Sequence, residues 1–254
     1  MRLFKKFGSL LILLALGAAL YSCVEEPTIE PVKTPYSSIR LGNFTSNIDQ
    51  MSVSVYDTDG SLITTKTLAA DQLSDRFDVT SGSRRFEIKD AAGNVVYDKN
   101  ITVISYEEDL IAFTGYSSTV DTLNSFNVVT VPEGLVFILE APPADSAWVN
   151  FVNFATDTPE QGAAAVDFAL FAVVNDTVND TVFKGTATYP GKEGAQVPAG
   201  TYTYSCSIDT TYNVTKEGVT VSSGMRYYFY ISGRQPREFL IVEDEQAPLP
   251  VRPK

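Results

Sequence analysis

Residues 79–86 read VTSGSRRF, and residues 197–204 read VPAGTYTY. The same register continues without a gap well beyond both segments, with apolar residues opposite apolar residues and glycine opposite glycine. A constant offset over such a length indicates that one unit has been duplicated. We therefore predict two copies of one domain, copy one at residues 36–141 and copy two at residues 142–246.

Strand-forming sequence fills both copies. Short runs rich in Val, Ile, Thr, Tyr and Phe are separated by Gly, Pro, Asn and Asp. Around seven such runs per copy, about 8–12 residues apart, are typical of a sandwich of two antiparallel sheets. We predict an all-β fold of two tandem immunoglobulin-like antiparallel β-sandwich domains. Within copy one, Met51–Tyr56 and Leu62–Leu68 should form a hairpin around Asp57–Gly60, and Pro132–Gly134 should form a second turn between two strands.

The N-terminal segment has the pattern of a secretory signal. Basic residues precede an apolar run at residues 9–20, which is short of the roughly 20 residues that a membrane-spanning helix needs, so a signal is preferred to a span. Residues 20–23 read LYSC, which resembles the lipobox of bacterial lipoproteins. The resemblance implies a signal peptide at residues 1–22, cleavage after Ser22 and lipid on Cys23.

Acidic and proline-rich sequence follows Cys23. Glu25 and Glu26 resemble the surface-export signal of Bacteroidota lipoproteins, and a solvated tether is the alternative. Residues 23–35 predict an extended tether, and residues 247–254 a proline-rich tail. Several acyl chains hold a protein stably on a membrane. We expect a lipid-anchored protein of the outer membrane; the acidic residues favour surface exposure over the periplasmic leaflet, and the choice of leaflet stays open.

Composition excludes several classes of function. The net charge is −12, so phosphate backbones and anionic head groups repel the chain. The chain has no histidine, which removes His-based nucleophile systems and imidazole metal sites. Cys206 has no cysteine to pair with once Cys23 carries lipid, and the repeat aligns Cys206 with Ile88 at an inward strand position. We expect no nucleic-acid partner, no cofactor, no disulfide and a buried Cys206.

Acidic motifs are the candidates for chemistry. Asp57-Thr58-Asp59-Gly60 resembles the start of a calcium loop but lacks the later ligands, and a plain hairpin turn explains it. The clusters Glu107–Asp109 and Glu243–Glu245 would suit glycoside hydrolysis if two carboxylates faced one cleft. Surface acids at strand ends are the alternative. The sequence therefore assigns no catalytic residue and no metal ligand.

The run Tyr227–Tyr230 is the most notable aromatic segment. Period-2 alternation directs Tyr227 and Phe229 inward and Tyr228 and Tyr230 outward. Tyr228 and Tyr230 are therefore candidates for an exposed surface that stacks on sugar rings or anchors a protein partner. The alternative is that they pack against the other domain or against the C-terminal strand.

Five triplets of Asp, Ser or Thr, and a small or aliphatic residue resemble an O-glycosylation signal of exported Bacteroidota proteins. Their acceptors are Thr122, Ser146, Thr177, Thr181 and Thr210. Thr177 and Thr181 belong to a tandem Asn-Asp-Thr-Val pair where a hairpin of copy two should turn. Ordinary turn chemistry is the alternative explanation of that pair.

Four features together resemble the bacterial family known as domain of unknown function 4397. They are an Arg-containing strand that ends in Asn near the domain start, a Val-Asp hairpin strand, the motif PAGTYT at residues 198–203, and a closing Tyr-Tyr strand that reaches a glycine. The resemblance implies extracytoplasmic β-sandwich modules, often duplicated and often on lipoproteins. It supplies no activity.

The expected function is that of a non-enzymatic, lipid-anchored envelope protein that acts in binding, adhesion or as a scaffold. Its expected partners are the membrane, through the lipid, and a protein or a glycan. One alternative is a surface protein that handles polysaccharides, including a glycoside hydrolase with paired carboxylates. Another is a subunit of a surface fibre.

Overall fold

All regular structure in the described residues is β-strand. The computed structural model describes residues 35–105, 107–117, 126–135, 145–155, 165–174, 177–208, 212–234 and 238–246. The predicted signal peptide, the tether as far as residue 34 and the tail lie outside that part of the chain. Residues Pro35–Lys254 belong to one compact unit.

Within the described ranges, each copy contributes eight strands. Those of copy one are β1 (Tyr36–Thr45), β2 (Gln50–Tyr56), β3 (Leu62–Ala69), β4 (Phe77–Thr80), β5 (Gly82–Asp90), β6 (Val95–Val103), β7 (Glu107–Gly115) and β8 (Asn127–Leu135). Those of copy two are β9 (Ser146–Asn153), β10 (Ala165–Val174), β11 (Thr177–Thr188), β12 (Gly191–Pro198), β13 (Gly200–Ile208), β14 (Tyr212–Val221), β15 (Arg226–Arg234) and β16 (Glu238–Gln246).

The two copies have the same topology. Copy one forms the sheets β4-β1-β7-β8 and β3-β2-β5-β6, and copy two forms β12-β9-β15-β16 and β11-β10-β13-β14. Among the described strands, every pairing stays within one copy. We name the first sheet of each pair the inner sheet, because the two inner sheets face each other, and the second the outer sheet. The predicted all-β fold of two tandem sandwiches is confirmed.

One strand pair in each copy departs from the antiparallel prediction. Strands β1 and β7 run parallel, as do β9 and β15. A parallel pair needs a long crossover connection. In copy one it runs through β2 and β3 of the outer sheet, β4 of the inner sheet, and β5 and β6 of the outer sheet, and in copy two through β10 to β14 in the same way. The sequence pattern could not show this, because the alternation of side chains is the same in both kinds of pair.

Each sandwich has its own apolar core between its two sheets. In copy two, the ring of Phe151 stacks on Phe168 at 4.4 Å and on Phe229 at 5.0 Å between centroids. Cys206 belongs to this core and is 1% exposed. Burial raises the pKa of its thiol to about 12, so Cys206 stays protonated and packs as a small apolar residue. The prediction for Cys206 is confirmed.

The two predicted turns have different outcomes. The β2–β3 hairpin turns at Asp57–Gly60, where Gly60 N donates to Asp57 O at 3.0 Å and Gly60 has a φ of 83°. The turn at Pro132–Gly134 is wrong, because these residues continue strand β8. The ladder to β7 shifts register there, so that Glu133 is the extra residue of a bulge. Strand β8 is a sheet edge, where a proline and a bulge are both tolerated.

Candidate functional site

The two inner sheets pack on each other through their outward faces. The apolar residues of this interface are Phe44, Leu110, Ala112, Val131, Val152, Phe154, Tyr228 and Tyr230. At its centre the rings of Phe44 and Phe154 lie 4.7 Å apart between centroids. These two residues occupy equivalent positions in the two copies, each following an asparagine near the end of the first strand, Asn43 in β1 and Asn153 in β9.

Polar contacts repeat the same symmetry. The hydroxyls of Thr114 and Tyr189 lie 2.7 Å apart, and Ser232 Oγ donates to Asp71. In the register that pairs Val79 with Val197, Ser232 corresponds to Thr114 and Tyr189 corresponds to Asp71. Each contact is therefore the other with the copies exchanged. Such reciprocity is the mark of an isologous, two-fold interface, here built within one chain.

A buried carboxylate lies beside this apolar interface. The side chain of Glu133 is 0% exposed and that of Arg40 is 7% exposed. Arg40 Nε donates to Glu133 Oε2 at 2.8 Å and its Nη2 to Oε1, which makes a bidentate pair. Arg76 Nη2 donates to the same Oε2 at 2.5 Å. The bulge in β8 directs Glu133 towards these two arginines, which belong to copy one as Glu133 does.

Copy two completes the network. The Tyr230 hydroxyl accepts from Arg40 Nη2 at 2.8 Å and donates to Glu133 Oε1. The backbone carbonyl of Glu133 accepts from the Tyr228 hydroxyl at 2.8 Å and from Arg226 Nη1 at 3.0 Å. Burial raises the pKa of Tyr228, so its hydroxyl keeps the proton that it donates. A buried charge is tolerated only when it is paired and hydrogen-bonded, and Glu133 meets that condition through both copies.

This geometry corrects the prediction of an exposed tyrosine surface. Tyr228 is 3% exposed and Tyr230 is 0% exposed. Their outward direction is as predicted, and Tyr227 and Phe229 belong to the core of copy two. The outward face, however, is covered by copy one, as the alternative interpretation held. Neither tyrosine can stack on a sugar or meet a partner in the folded chain.

The acid cluster at the start of β7 does not form a cleft. Glu108 lies 3.7 Å from Arg76, on the network side. Asp109 points into the core of copy one, is 2% exposed, and its Oδ1 has no hydrogen-bond partner in the described part of the chain. Burial, and then the charges of Glu107 and Glu133, raises the pKa of Asp109 to about 7. Glu243–Glu245 lie in β16, and their side chains are outside the description.

The glycosylation candidates separate by exposure. Ser146 is 7% exposed and its Oγ accepts from Gln196 Nε2 at 2.8 Å, so this acceptor is withdrawn, because a modifying enzyme cannot reach it. Thr181 is exposed on β11. Thr177 begins β11, with its side chain undescribed, and Thr122 and Thr210 lie outside the described residues, as Cys23 does.

Sequence reasoning missed the network itself. Glu133 was assigned to a turn, and Arg40, Arg76 and Arg226 were given no role at a site. The sequence signal for the network is an arginine in an otherwise alternating strand. Arg40 in β1 and Arg226 at the start of β15 are the two cases. A charged residue inside a buried strand requires a partner, although the strand alone does not identify it.

The described residues show neither a metal-binding cluster nor a membrane-spanning helix. They contain no group of three or more His, Cys, Asp or Glu side chains that could hold a metal ion. The Asp57–Gly60 motif is a hairpin turn in which Asp59 Oδ1 accepts from Ser61 N at 2.8 Å. Over the same residues, no helix has the length and apolar character to cross a bilayer.

The fold and the buried network define an all-β protein of two duplicated sandwiches fixed against each other. No family model matches the chain, and no curated protein matches it. Among solved structures, a candidate cell adhesion protein from Bacteroides ovatus is similar over 84% of this chain and 98% of that chain, at 10% identity and a TM-score of 0.31. One from Parabacteroides distasonis is similar over 87% and 100%, at 10% identity and a TM-score of 0.25.

The Bacillus anthracis TIE protein is also similar, over 78% of this chain, at 11% identity and a TM-score of 0.25. The match spans 34% of the length of that chain.

Proposed function

We propose that this chain is a non-enzymatic binding module of the cell envelope, of the adhesion or scaffold type. One observation carries the proposal. The ionisable cluster around Glu133 is centred on a carboxylate that is 0% exposed, and the tyrosines and Arg226 of copy two bond to it. Catalysis needs reactive groups that a substrate can reach. This cluster instead fixes two sandwiches as one rigid body.

A rigid body of this kind suits display of a surface. Binding is weakened by every group that must be ordered on association. The inner sheets are held together by aromatic contacts and hydrogen bonds between the copies, so little ordering of the framework remains to be done on binding. The outer sheets carry polar side chains to solvent, for example Ser54 and Thr65, whose hydroxyls lie 3.0 Å apart on an exposed face. Recognition is therefore assigned to the outer sheets and their turns.

The hydrolase alternative finds no support at Asp109, the buried member of the described acid cluster. Two carboxylates must flank a substrate in an open cleft, whereas Asp109 is 2% exposed and faces an apolar core. The resemblance to domain of unknown function 4397, and the placement on the outer membrane through lipid at Cys23, are part of the same proposal. They rest on the sequence motifs.

A binding assay with product analysis tests the proposal. Fluorescently labelled chain without the signal and the lipid cysteine, residues 24–254, is added to intact bacterial cells and to purified envelope polysaccharide. We expect saturable binding to at least one of the two and no release of oligosaccharides. Release of sugars, or the absence of saturable binding to either, would overturn it. Heat-unfolded chain is the control for non-specific adsorption.

The anchor has its own test. Replacing Cys23 by Ala removes the sulfur that carries the lipid, and membrane attachment by acyl chains should be lost. We expect the variant to accumulate as uncleaved precursor or in the soluble fraction, and to take up no radiolabelled fatty acid. A variant with Ser22 replaced by Ala keeps the sulfur and should fractionate with the membrane. Unchanged labelling of Cys23→Ala would show that the anchor lies elsewhere.

A further inference from the structure

A cleft opens on the outer sheet of copy one, where the β2–β3 hairpin turns. Its volume is about 300 Å³, at the lower end of the ~300–1,000 Å³ of small-molecule sites. The residues that line it are Tyr56, Asp57, Thr58, Gly60, Ser83, Arg85 and Asn100. Tyr56 pairs with Arg85 across β2 and β5, and Arg85 pairs with Asn100 across β5 and β6. These three side chains therefore project side by side from one face.

The wall of the cleft is held in place by its own contacts. The guanidinium of Arg85 lies over the Tyr56 ring, 4.9 Å from the centroid. Asp98 accepts from Arg85 Nε at 2.6 Å and from its Nη2 at 2.8 Å, and Glu87 accepts from the same Nη2 at 3.2 Å. The positive charge of Arg85 is thus balanced by two carboxylates. A ligand would meet a fixed aromatic surface without net positive charge.

Several polar groups in the cleft remain available to a ligand. Asn100 and Ser83 are exposed, and their side chains have no hydrogen-bond partner within the described residues. Asp57 uses one carboxylate oxygen, Oδ1, which accepts from Thr58 N at 2.6 Å and lies 3.6 Å from Arg84 Nη2. Its Oδ2 is left for another donor. The cleft therefore offers a carboxylate oxygen, an amide and a hydroxyl beside an aromatic ring.

We propose that this cleft binds a neutral carbohydrate. Sugar hydroxyls donate and accept hydrogen bonds at once, which matches a carboxylate and an amide that face one space. Because the Arg85 guanidinium covers one face of the Tyr56 ring, the apolar face of a sugar ring would pack on the part of that ring that Arg85 leaves uncovered. An anionic ligand would face Asp57 beside an arginine already neutralised, and a metal ion would lack ligands. The inference rests on the proposed binding function and assigns the ligand class to it.

Copy two does not repeat the cleft. The positions equivalent to Tyr56, Arg85 and Asn100 are Phe171, Thr203 and Gly218, as the pairing of Phe171 with Thr203 shows. Thr203 is 4% exposed, and Gly218 has no side chain. The polar groups that define the cleft are therefore specific to copy one, so copy two provides an internal control.

Saturation-transfer NMR at millimolar sugar tests the inference. The probes are methyl glycosides of neutral hexoses and neutral oligosaccharides, with a sialylated and a sulfated oligosaccharide as the anionic comparison, on chain lacking the signal and the lipid cysteine. We expect transfer to at least one neutral probe, and about a tenfold loss of affinity in Asn100→Ala and in Tyr56→Ala. Thr201→Ala, at the position in copy two equivalent to Ser83, should bind as the unaltered chain does.

Each result of the NMR experiment either supports or overturns the carbohydrate assignment. Asn100 makes no contact that the fold needs, so Asn100→Ala should keep the thermal unfolding midpoint even if Tyr56→Ala lowers it. Three results would overturn the carbohydrate assignment. They are no transfer to a neutral probe, transfer to the anionic probes alone, and the same affinity for Asn100→Ala as for the unaltered chain. If the chain still binds intact cells in those cases, the proposed binding function stands and only the ligand class fails. If it binds neither cells nor sugars, both fail.

Discussion

The two inner sheets share one backbone plan and differ in the side chains that they present to each other. Leu110 and Ala112 on β7 occupy the positions of Tyr228 and Tyr230 on β15. The small residues of copy one leave room for the large residues of copy two, whose hydroxyls then reach Glu133. The two faces of the interface are therefore complementary rather than identical. The shared backbone plan sets the geometry of the interface, and the side chains in which the copies differ set its complementarity.

A network built on buried ion pairs carries a large desolvation penalty. Replacing a buried ion pair by well-packed apolar residues is often neutral or stabilising, whereas removal of one partner is strongly destabilising. We therefore assign the network to orientation rather than to net stability. Arg40 and Arg76 hold the Glu133 side chain in one position. Tyr228, Tyr230 and Arg226 of copy two bond to Glu133 in that position.

Separation of the two copies should have the largest effect. Fragments 35–141 and 142–246 each contain a complete core, so each should unfold cooperatively alone, at a lower denaturant midpoint than the whole chain. Because the two inner sheets are complementary, with the tyrosine hydroxyls of copy two reaching Glu133 of copy one, the exposed inner sheets should pair when the fragments are mixed. Light scattering should report a one-to-one complex. If neither fragment folds while the whole chain does, the two sandwiches are not independent and the domain boundary is wrong.

The replacement Glu133→Ala should have the next largest effect. It removes the carboxylate that pairs with the buried Arg40 and the partly exposed Arg76, which should lower the free energy of unfolding by about 3–5 kcal/mol. Urea unfolding of the whole chain measures it. Glu108→Ala removes a partly exposed partner that lies 3.7 Å from Arg76 and should cost less than about 1 kcal/mol. Similar losses in both variants would show that the network is not the element that joins the copies.

A smaller effect is expected at Gly42, whose counterpart in copy two is Val152. A Cβ at Gly42 would lie 2.5 Å from Phe44 Cε2 and 3.2 Å from Leu110 Cδ1. Since Phe44 is itself packed against Phe154 at 4.7 Å between centroids, its ring cannot move freely. We expect Gly42→Ala to lower the free energy of unfolding by about 1–3 kcal/mol.

Ser52→Ala, on the half-buried face of β2, is the matched control for Gly42→Ala and should change it by less than about 0.5 kcal/mol. A neutral Gly42→Ala variant would mean that the interface has space that the packing of Phe44 does not show.

The sequence predicted what one strand or one repeat determines by itself. Alternation in Met51–Tyr56 identified the buried face, because one face of that sheet is solvent-exposed and the other is not. The repeat register transferred the inward position of Ile88 to Cys206, since duplicated strands keep their pleat. The turn at Asp57–Gly60 depends on neighbouring residues only. Each of these properties is local or is copied from one half to the other.

The site could not be predicted in the same way. Pro-Glu-Gly is as suitable for a bulge on an edge strand as for a turn, and the difference lies in distant contacts. Glu133 bonds Arg40 at a separation of 93 residues and Tyr230 at a separation of 97. Period-2 alternation showed correctly that Tyr228 and Tyr230 point outward. It carries no information on whether a second sandwich covers that face.

The two cores differ at the end where β7 and β15 begin. Tyr227 closes one end of the copy-two core, and its hydroxyl accepts from Ser222 N at 2.8 Å. The equivalent position in copy one is Asp109, whose buried Oδ1 has no partner among the described residues. Burial raises the pKa of Asp109 from 3.8 to about 7. The folded chain therefore binds a proton at Asp109 that the unfolded chain has released, over the interval between those two values.

The sign of the pH dependence follows from this difference. Where the folded state binds more protons, stability falls as the pH rises, so the contribution of Asp109 is complete below about pH 4 and lost by about pH 7. Asp109→Asn removes the titration and keeps the shape. We expect the variant to be more stable than the unaltered chain at pH 8, by about 1–3 kcal/mol, with little or no gain at pH 4. Urea unfolding at both pH values measures the difference in the free energy of unfolding.

Asp98→Asn is the control, at an exposed carboxylate whose pKa is lowered by its hydrogen bond to Arg85, and it should give no such gain in stability at pH 8. An equal gain for Asp109→Asn at both pH values would show that packing, and not ionisation of Asp109, limits this end of the copy-one core.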